Sequence, residues 1–146
     1  MKKFQFLLLD AGPIIKLFEL GIWDEFIKKY DVTISRIVAE EEVVFAAGEE
    51  GKKYIDFGLK PWEEEGFIKI IEVEPSKVKD FYQKSNLRGK YTIDPGEEET
   101  LAFLHIQSED WKVCSADGAV YSALGFLGKG EQGISLEEIL WDIGLS

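Results

Sequence analysis

The chain has 146 residues, 45% of them hydrophobic, so it is long and apolar enough to bury a core, and we expect one domain over residues 1–146. Its 28 acidic and 17 basic residues give a formal net charge of -11. That charge argues against broad, nonspecific binding to nucleic acid, which requires a basic surface, but leaves room for a small site where a metal ion handles one phosphate. The single cysteine, Cys114, cannot form an internal disulfide and predicts a reducing cytoplasm.

The first apolar segment, Phe4–Leu9, ends at Asp10-Ala11-Gly12-Pro13. It is too short for a signal peptide or a membrane span, so we expect no membrane contact. A short uninterrupted run of this kind predicts a strand buried on both faces of a parallel sheet. Asp10 then lies at the carboxyl end of that strand, the edge at which open α/β sheets bind ligands. Taken alone, it could equally be a turn or cap residue.

Strands and helices alternate along the rest of the chain. We predict further strands at Val32–Ile34, Phe67–Val73 and Val113–Ser115. We predict helices at Ile14–Leu20, Ile22–Tyr30, Arg36 to about Ala47, Tyr54–Glu65, Ser76–Leu87, the segment after Asp94, Ala119–Leu127 and the C-terminal segment. Ser35 is the expected cap of the helix that begins at Arg36. This alternation predicts an α/β fold, a three-layer α/β/α sandwich with a mostly parallel sheet.

Three consecutive glutamates lie in the helix predicted after Ser35. Glu40 and Glu41 both share part of its apolar face, so periodicity does not choose between them. At least one glutamate of the three is expected to be solvated.

A helix-start pattern begins at Asp94, with Pro95 at the first helical position and Glu97 three residues after the cap. Glu97 shares a face with Leu101, so its carboxyl group should point inward. Two interpretations follow: a capping box with Asp94, or a metal ligand that requires other carboxylates nearby. If Glu97 serves only as a cap, Glu99 is the substitute ligand.

Three further acids supply the carboxylates that a metal ligand at Glu97 would require, which makes a set of four. Asp10 and Asp117 each follow a predicted strand, while Glu41 and Glu97 are expected on inward helix faces. An all-oxygen set of this kind suits Mg²⁺ or Mn²⁺ and suits zinc poorly. The chemistry it supports is phosphodiester hydrolysis.

The basic residues concentrate between Lys77 and Lys90, just before the Asp94 helix. Lys84, Arg88 and Lys90 are candidates for contacts with substrate phosphates, although an ordinary solvated helix face would also explain them. The only histidine, His105, has no plausible Cys or His partner, which argues against a zinc site or a Ser-His-Asp triad.

The order of these motifs resembles the PIN-domain family, and in particular its small prokaryotic members, the VapC-like toxin nucleases. The resemblance rests on Asp10 after a strand, Val38-x-x-Glu41, Gly96-Glu97-Glu98-Glu99 at a helix start and Cys114-Ser115-Ala116-Asp117-Gly118 after a later strand. It extends over nearly the whole chain. The resemblance rests on the order and spacing of the four motifs together, since no single motif is specific to the family.

The resemblance implies a parallel sheet flanked by helices, a Mg²⁺ or Mn²⁺ site at Asp10, Glu41, Glu97 and Asp117, and cleavage of single-stranded RNA. It also implies an antitoxin protein and a second copy of the chain as candidate partners. Two departures matter: Ala11 replaces a polar residue common in the family, and Gly118 stands where further acids often follow. The alternative function is a non-catalytic binding module on the same fold, with a degenerate metal site.

Overall fold

The computed structural model of the chain describes residues 6–42, 59–87, 93–107 and 111–144. Its four strands are β1 (Phe6–Leu9), β2 (Val32–Ser35), β3 (Ile68–Ile71) and β4 (Trp111–Cys114). They form one sheet in the order β3-β2-β1-β4, and every pairing is parallel. β1 is central, and Leu8 pairs with Thr33 on one side and with Val113 on the other.

Helices fill the connections between the strands. They are α1 (Ala11–Glu19), α2 (Trp23–Lys29), α3 (Lys60–Glu64), α4 (Pro75–Lys84), α5 (Pro95–Ile106), α6 (Gly118–Phe126) and α7 (Leu136–Asp142), with a π-helical turn at Val38–Glu42 and a 3₁₀ turn at Gly130–Gln132. After β4 the chain returns at Gly133 for a single parallel bridge to Val113.

Both faces of the sheet are buried, because alternate residues of β1 enter two separate apolar clusters. Leu7 and Leu9 pack with α1, α2 and α7 on one face. Leu8 packs with α4, α5 and α6 on the other. The prediction of a three-layer α/β/α sandwich is therefore confirmed, as is that of a first strand buried on both faces.

The structure corrects several predicted boundaries. α1 begins at Ala11 instead of Ile14, because the Asp10 side chain caps it. β3 is shorter than the predicted Phe67–Val73. The helix expected from Arg36 does begin there, but it becomes π-helical over Val38–Glu42. Ser35 caps it as predicted, with its Oγ 3.2 Å from the Val38 nitrogen. The rest of that predicted helix, and residues 54–58 of the one predicted at Tyr54–Glu65, lie outside the described residues.

Within the described part of the chain, no helix combines the length and apolar character that crossing a membrane requires.

The turns after β1 and β4 pack tightly against each other. A Cβ atom added to Gly12 would lie 2.5 Å from the Cβ of Ala116. Because this is far inside normal contact, the two turns approach this closely only with glycine at position 12.

We expect Gly12→Ala to destabilise the fold by roughly 1–3 kcal/mol, the usual cost of overpacking, because the two turns must separate. Gly118→Ala is the matched control, since a Cβ there meets nothing within 4 Å. Urea unfolding of both variants measures the difference. Equal stability of the two would contradict the close approach of the turns.

Candidate functional site

The candidate site lies at the carboxyl edge of the sheet, between β1 and β4. The chain runs from β1 to β2 and β3 on one side and places β4 on the other side of β1. The connections that follow β1 and β4 therefore diverge, which opens a crevice at the position where open α/β sheets bind ligands. Asp10 follows β1 and Ser115 follows β4, so both lie at this crevice.

Asp10 is buried and held on both carboxylate oxygens. Oδ1 accepts a hydrogen bond from the Ala11 N–H at 2.8 Å, which begins α1. Oδ2 accepts one from the Ser115 hydroxyl at 2.8 Å. The cap interpretation of Asp10 is therefore correct, and the same carboxylate also faces the crevice.

Glu97 forms the predicted capping box and also contacts a second carboxyl group. It completes a capping box: its Oε1 accepts from the Asp94 N–H at 3.0 Å, and Asp94 Oδ1 accepts from the Glu97 N–H at 2.8 Å. Its side chain also forms a hydrogen bond with the Asp10 carboxyl group. Only 3% of Glu97 is exposed, so two carboxyl groups meet in a nearly water-free place.

The surroundings of this pair favour its protonated form. The pKa of Glu97 is raised to about 9, mainly by burial and further by the negative charges of Asp10 and Asp94, against the lowering effect of the hydrogen bond from Asp94. The pKa of Asp10 is also raised, because burial outweighs its hydrogen bonds with Ala11, Ser115 and Glu97. At neutral pH Glu97 is therefore protonated and donates its proton to Asp10.

The crevice around the pair is closely packed. Asp10, Glu97, Thr100 and Ser115 line a space too narrow to hold a water molecule. Among the described residues, no lysine, arginine or histidine forms an ion pair with Asp10 or Glu97. No side-chain cation therefore neutralises the two carboxyl groups within this part of the chain.

Asp117 connects to the pair through Ser115. The Ser115 Oγ that donates to Asp10 also accepts from the Asp117 N–H at 3.0 Å. The Asp117 side chain is exposed, and its Oδ1 accepts from the Ala119 N–H at 2.9 Å to cap α6. Asp117 therefore lies at the predicted edge of the sheet, with its carboxylate on a helix cap.

The fourth predicted acidic position is described only by its backbone. Glu41 belongs to the π-helical turn, which contacts α5, the helix that carries Glu97. Its side chain lies outside the described residues. The alternative, Glu40, is exposed, and its Oε1 lies 3.9 Å from the Arg36 guanidinium. Glu40 therefore engages a solvent-facing ion pair.

Glu99, the substitute ligand considered for Glu97, binds two backbone N–H groups instead. Its Oε2 accepts from the Val73 N–H at 2.9 Å and its Oε1 from the Ile37 N–H at 3.2 Å. Val73 follows β3 and Ile37 follows β2, so one carboxylate joins two strand ends to α5. Only 2% of Glu99 is exposed, and both its oxygens are occupied by backbone donors.

Lys84 is the one candidate phosphate contact that the structure describes, and it does not lie with the predicted acidic residues. Lys84 lies 3.2 Å from Asp80, its i−4 neighbour on α4, and lines a groove with His105 and Ile106. Those two residues end α5, about 12 Å along the helix axis from Glu97 at 1.5 Å per residue. Arg88 and Lys90 lie outside the described residues, and the role of all three stays a prediction.

The structure thus brings two of the four predicted acids into contact. Among the residues it describes, no three His, Cys, Asp or Glu side chains are grouped closely enough to hold a metal ion. The donors of Asp10 and Glu97 are carboxylate oxygens, which fit Mg²⁺ or Mn²⁺. Their raised pKa values mark a place where added positive charge would be stabilising.

The sequence interpretation missed Ser115 and Tyr121. Tyr121 Oη accepts from the Ser115 N–H at 2.9 Å and lies 2.8 Å from the Ser115 carbonyl oxygen and 2.9 Å from that of Ile134. Tyr121 therefore holds the backbone of the residue that orients Asp10. A signal for Ser115 was available, since it is the polar residue that ends the predicted strand Val113–Ser115.

No known protein family matches the chain, and neither does any curated protein. The resemblance to PIN domains therefore stays a prediction from the motifs.

The pair predicts an unusual pH dependence of stability in the absence of metal. The pKa of Glu97 is about 9 in the folded chain, against 4.5 for an ordinary glutamate, so between these values the folded state binds more protons than the unfolded state. Stability must then fall as pH rises through this window, with a limiting slope of about 1.4 kcal/mol per pH unit for one proton.

Urea unfolding between pH 5 and pH 9 in a chelating buffer measures this slope. Glu97→Gln is the control and should flatten it, because the glutamine does not titrate. A parent protein whose stability rises with pH over this range, or one that matches the variant, would contradict the raised pKa.

Proposed function

We propose that the protein is a metal-dependent ribonuclease that hydrolyses phosphodiester bonds of single-stranded RNA, with Asp10 and Glu97 as ligands of Mg²⁺ or Mn²⁺. The observation that carries the proposal is the buried Asp10–Glu97 pair at the crevice between β1 and β4, where no side-chain cation of the described chain neutralises it. Crowded carboxylates repel, and a divalent ion relieves that repulsion.

The residues around the pair support such a site. Ser115 fixes one oxygen of Asp10, and the Asp94 N–H fixes one oxygen of Glu97, so both carboxyl groups are oriented before an ion arrives. Fixed ligands reduce the cost of ordering on binding. Bound Mg²⁺ or Mn²⁺ would stabilise charge on the scissile phosphate and lower the pKa of an attacking water. Asp117 and Glu41 are the further ligands that the proposal assigns.

RNA as the substrate, an antitoxin and a second copy of the chain as partners, and the cytoplasm as the location enter the proposal through the resemblance to PIN domains. The net charge of -11 limits how strongly the surface as a whole attracts a polyanion. We therefore assign RNA affinity to the metal site and to local contacts, among them Lys84, Arg88 and Lys90.

Incubation of a labelled single-stranded RNA with the purified protein tests this function. We expect cleavage with Mn²⁺ or Mg²⁺, none with EDTA, and none for Asp10→Asn. Glu40→Gln is the matched control and should cleave like the parent, because Glu40 is exposed and paired with Arg36. Absence of cleavage across a panel of RNAs with Mn²⁺ would contradict the proposal.

The second candidate function is a non-catalytic binding module. The close packing around the pair favours this candidate. Glu97 donates a proton to Asp10 in a space without room for water, and this hydrogen bond stabilises the two carboxyl groups without a metal. A melting temperature that does not respond to Mn²⁺ would select this candidate, because a ligand that binds the native state raises stability by mass action.

A further inference from the structure

A second cavity opens at the same edge of the sheet, beside the ends of β2 and β3. It has a volume of about 410 Å³ and lies between the turns after these strands and the helices α4 and α5. We call it the Tyr82 groove and define it by Val73, Val78, Tyr82, Gln83 and Glu98. Its volume is within the range of small-molecule sites, roughly 300–1,000 Å³.

The groove adjoins the carboxyl pair. Glu98, which lines it, directly follows Glu97, so their Cα atoms are about 3.8 Å apart. Glu97 faces Asp10, whereas Glu98 faces the groove. The pair and the groove therefore both lie beside the first turn of α5.

The walls of the groove suit a flat apolar face. Val73 and Val78 contribute aliphatic surface, Pro75 and Pro95 contribute rings, and Tyr82 contributes an aromatic ring. Aromatic side chains are the usual stacking partners of unpaired RNA bases.

The charged groups of the groove carry both signs. Arg36 and Lys79 line it together with three glutamates, Glu72, Glu98 and Glu99, and the Arg36 Nε lies 3.1 Å from Glu72 Oε2. A phosphate would meet these carboxylates here, so the groove is poorly suited to a polyanion. A neutral ring that carries both donors and acceptors matches this mixture of groups.

We propose that the Tyr82 groove binds one base of the RNA strand, stacked on Tyr82 beside the nucleotide that is cut. The inference deepens the proposed function, since it assigns the neighbouring nucleotide of the same substrate.

Titration of the protein with the four free nucleosides, followed by NMR of the backbone amides, tests the groove without cleavage or metal. We expect saturable shifts at Val73, Val78 and Gln83. Tyr82→Ala should lower affinity by roughly five- to 150-fold, the loss that removal of one base–aromatic stack produces.

Two exposed positions on α4 provide matched variants that do not disturb the core. Gln83→Trp places a large ring in the groove and should change nucleoside affinity, because the ring either fills the space or stacks on the base, whereas Lys77→Trp places the same ring in the groove lined by Lys84 and His105 and should leave affinity unchanged. Shifts absent from the groove at millimolar nucleoside, or equal affinities of Gln83→Trp and the parent, would overturn the inference.

The outcomes separate this inference from the proposed function. If nucleosides bind in the groove but no RNA is cleaved, the nuclease proposal fails and the groove assignment stands. If RNA is cleaved at the same positions by Gln83→Trp and by the parent, the groove assignment fails and the nuclease proposal stands.

Discussion

Glu97→Gln is expected to lower Mn²⁺-dependent RNA cleavage by roughly a hundredfold or more while raising the free energy of unfolding at neutral pH, because the parent must take up a proton on Glu97 as it folds and the variant need not. The loss follows because an amide is a poor ligand for a hard cation, and a metal ion contributes several kcal/mol of charge stabilisation to such a reaction. Cleavage rates and urea unfolding in a chelating buffer measure the two quantities.

The stability part of this expectation follows from the protonation of the pair. Glu97 is already neutral at pH 7, with a pKa of about 9, and its proton is donated to Asp10. A glutamine amide can donate to Asp10 in the same way, and its carbonyl oxygen can accept from the Asp94 N–H as Glu97 does at 3.0 Å. A strongly destabilised Glu97→Gln would contradict this description, as would a variant that cleaves like the parent.

Glu99→Gln is expected to have the opposite effect: a loss of roughly 1–3 kcal/mol of stability, the cost of one unsatisfied buried donor. The Glu99 carboxylate accepts from the N–H groups of Val73 and Ile37, and a glutamine side chain can satisfy only one of them. Its NH₂ group would face the other N–H, donor against donor. The melting temperature should fall by roughly 2–12 °C.

The two glutamates lie two residues apart on α5, so each variant is the control of the other. At a temperature where Glu99→Gln is fully folded, it should retain the Mn²⁺ response that Glu97→Gln loses. A Glu99→Gln protein as stable as the parent would show that the joint between the ends of β2, β3 and α5 contributes little.

Local signals were sufficient to predict much of the fold. The apolar run before Asp10 identified a central strand, and Asp94-Pro95 with Glu97 identified the start of α5. Lengths were less accurate, since pairing decides where strands end. β3 ends at Ile71 although the apolar pattern continues to Val73, whose N–H donates to Glu99 instead of to a neighbouring strand.

The site was only partly predictable, for a physical reason. Helical periodicity showed that Glu97 points inward, but Glu99 also points inward, and the sequence did not show which one meets Asp10. The choice depends on the angle at which α5 crosses the sheet, a tertiary property. Ser115 was missed because its role depends on β4 lying directly beside β1, and strand order is not encoded in local pattern.

The most direct test of the central claim is the paramagnetic broadening of backbone amides by Mn²⁺ in a ¹H–¹⁵N spectrum, compared between the parent and Asp10→Asn. We predict that substoichiometric Mn²⁺ broadens amides around Asp10, Glu97 and Ser115 selectively, and that the variant loses this broadening while its fold is kept. Broadening confined to other acidic surfaces, or equal in both proteins, would contradict a metal site at the Asp10–Glu97 pair.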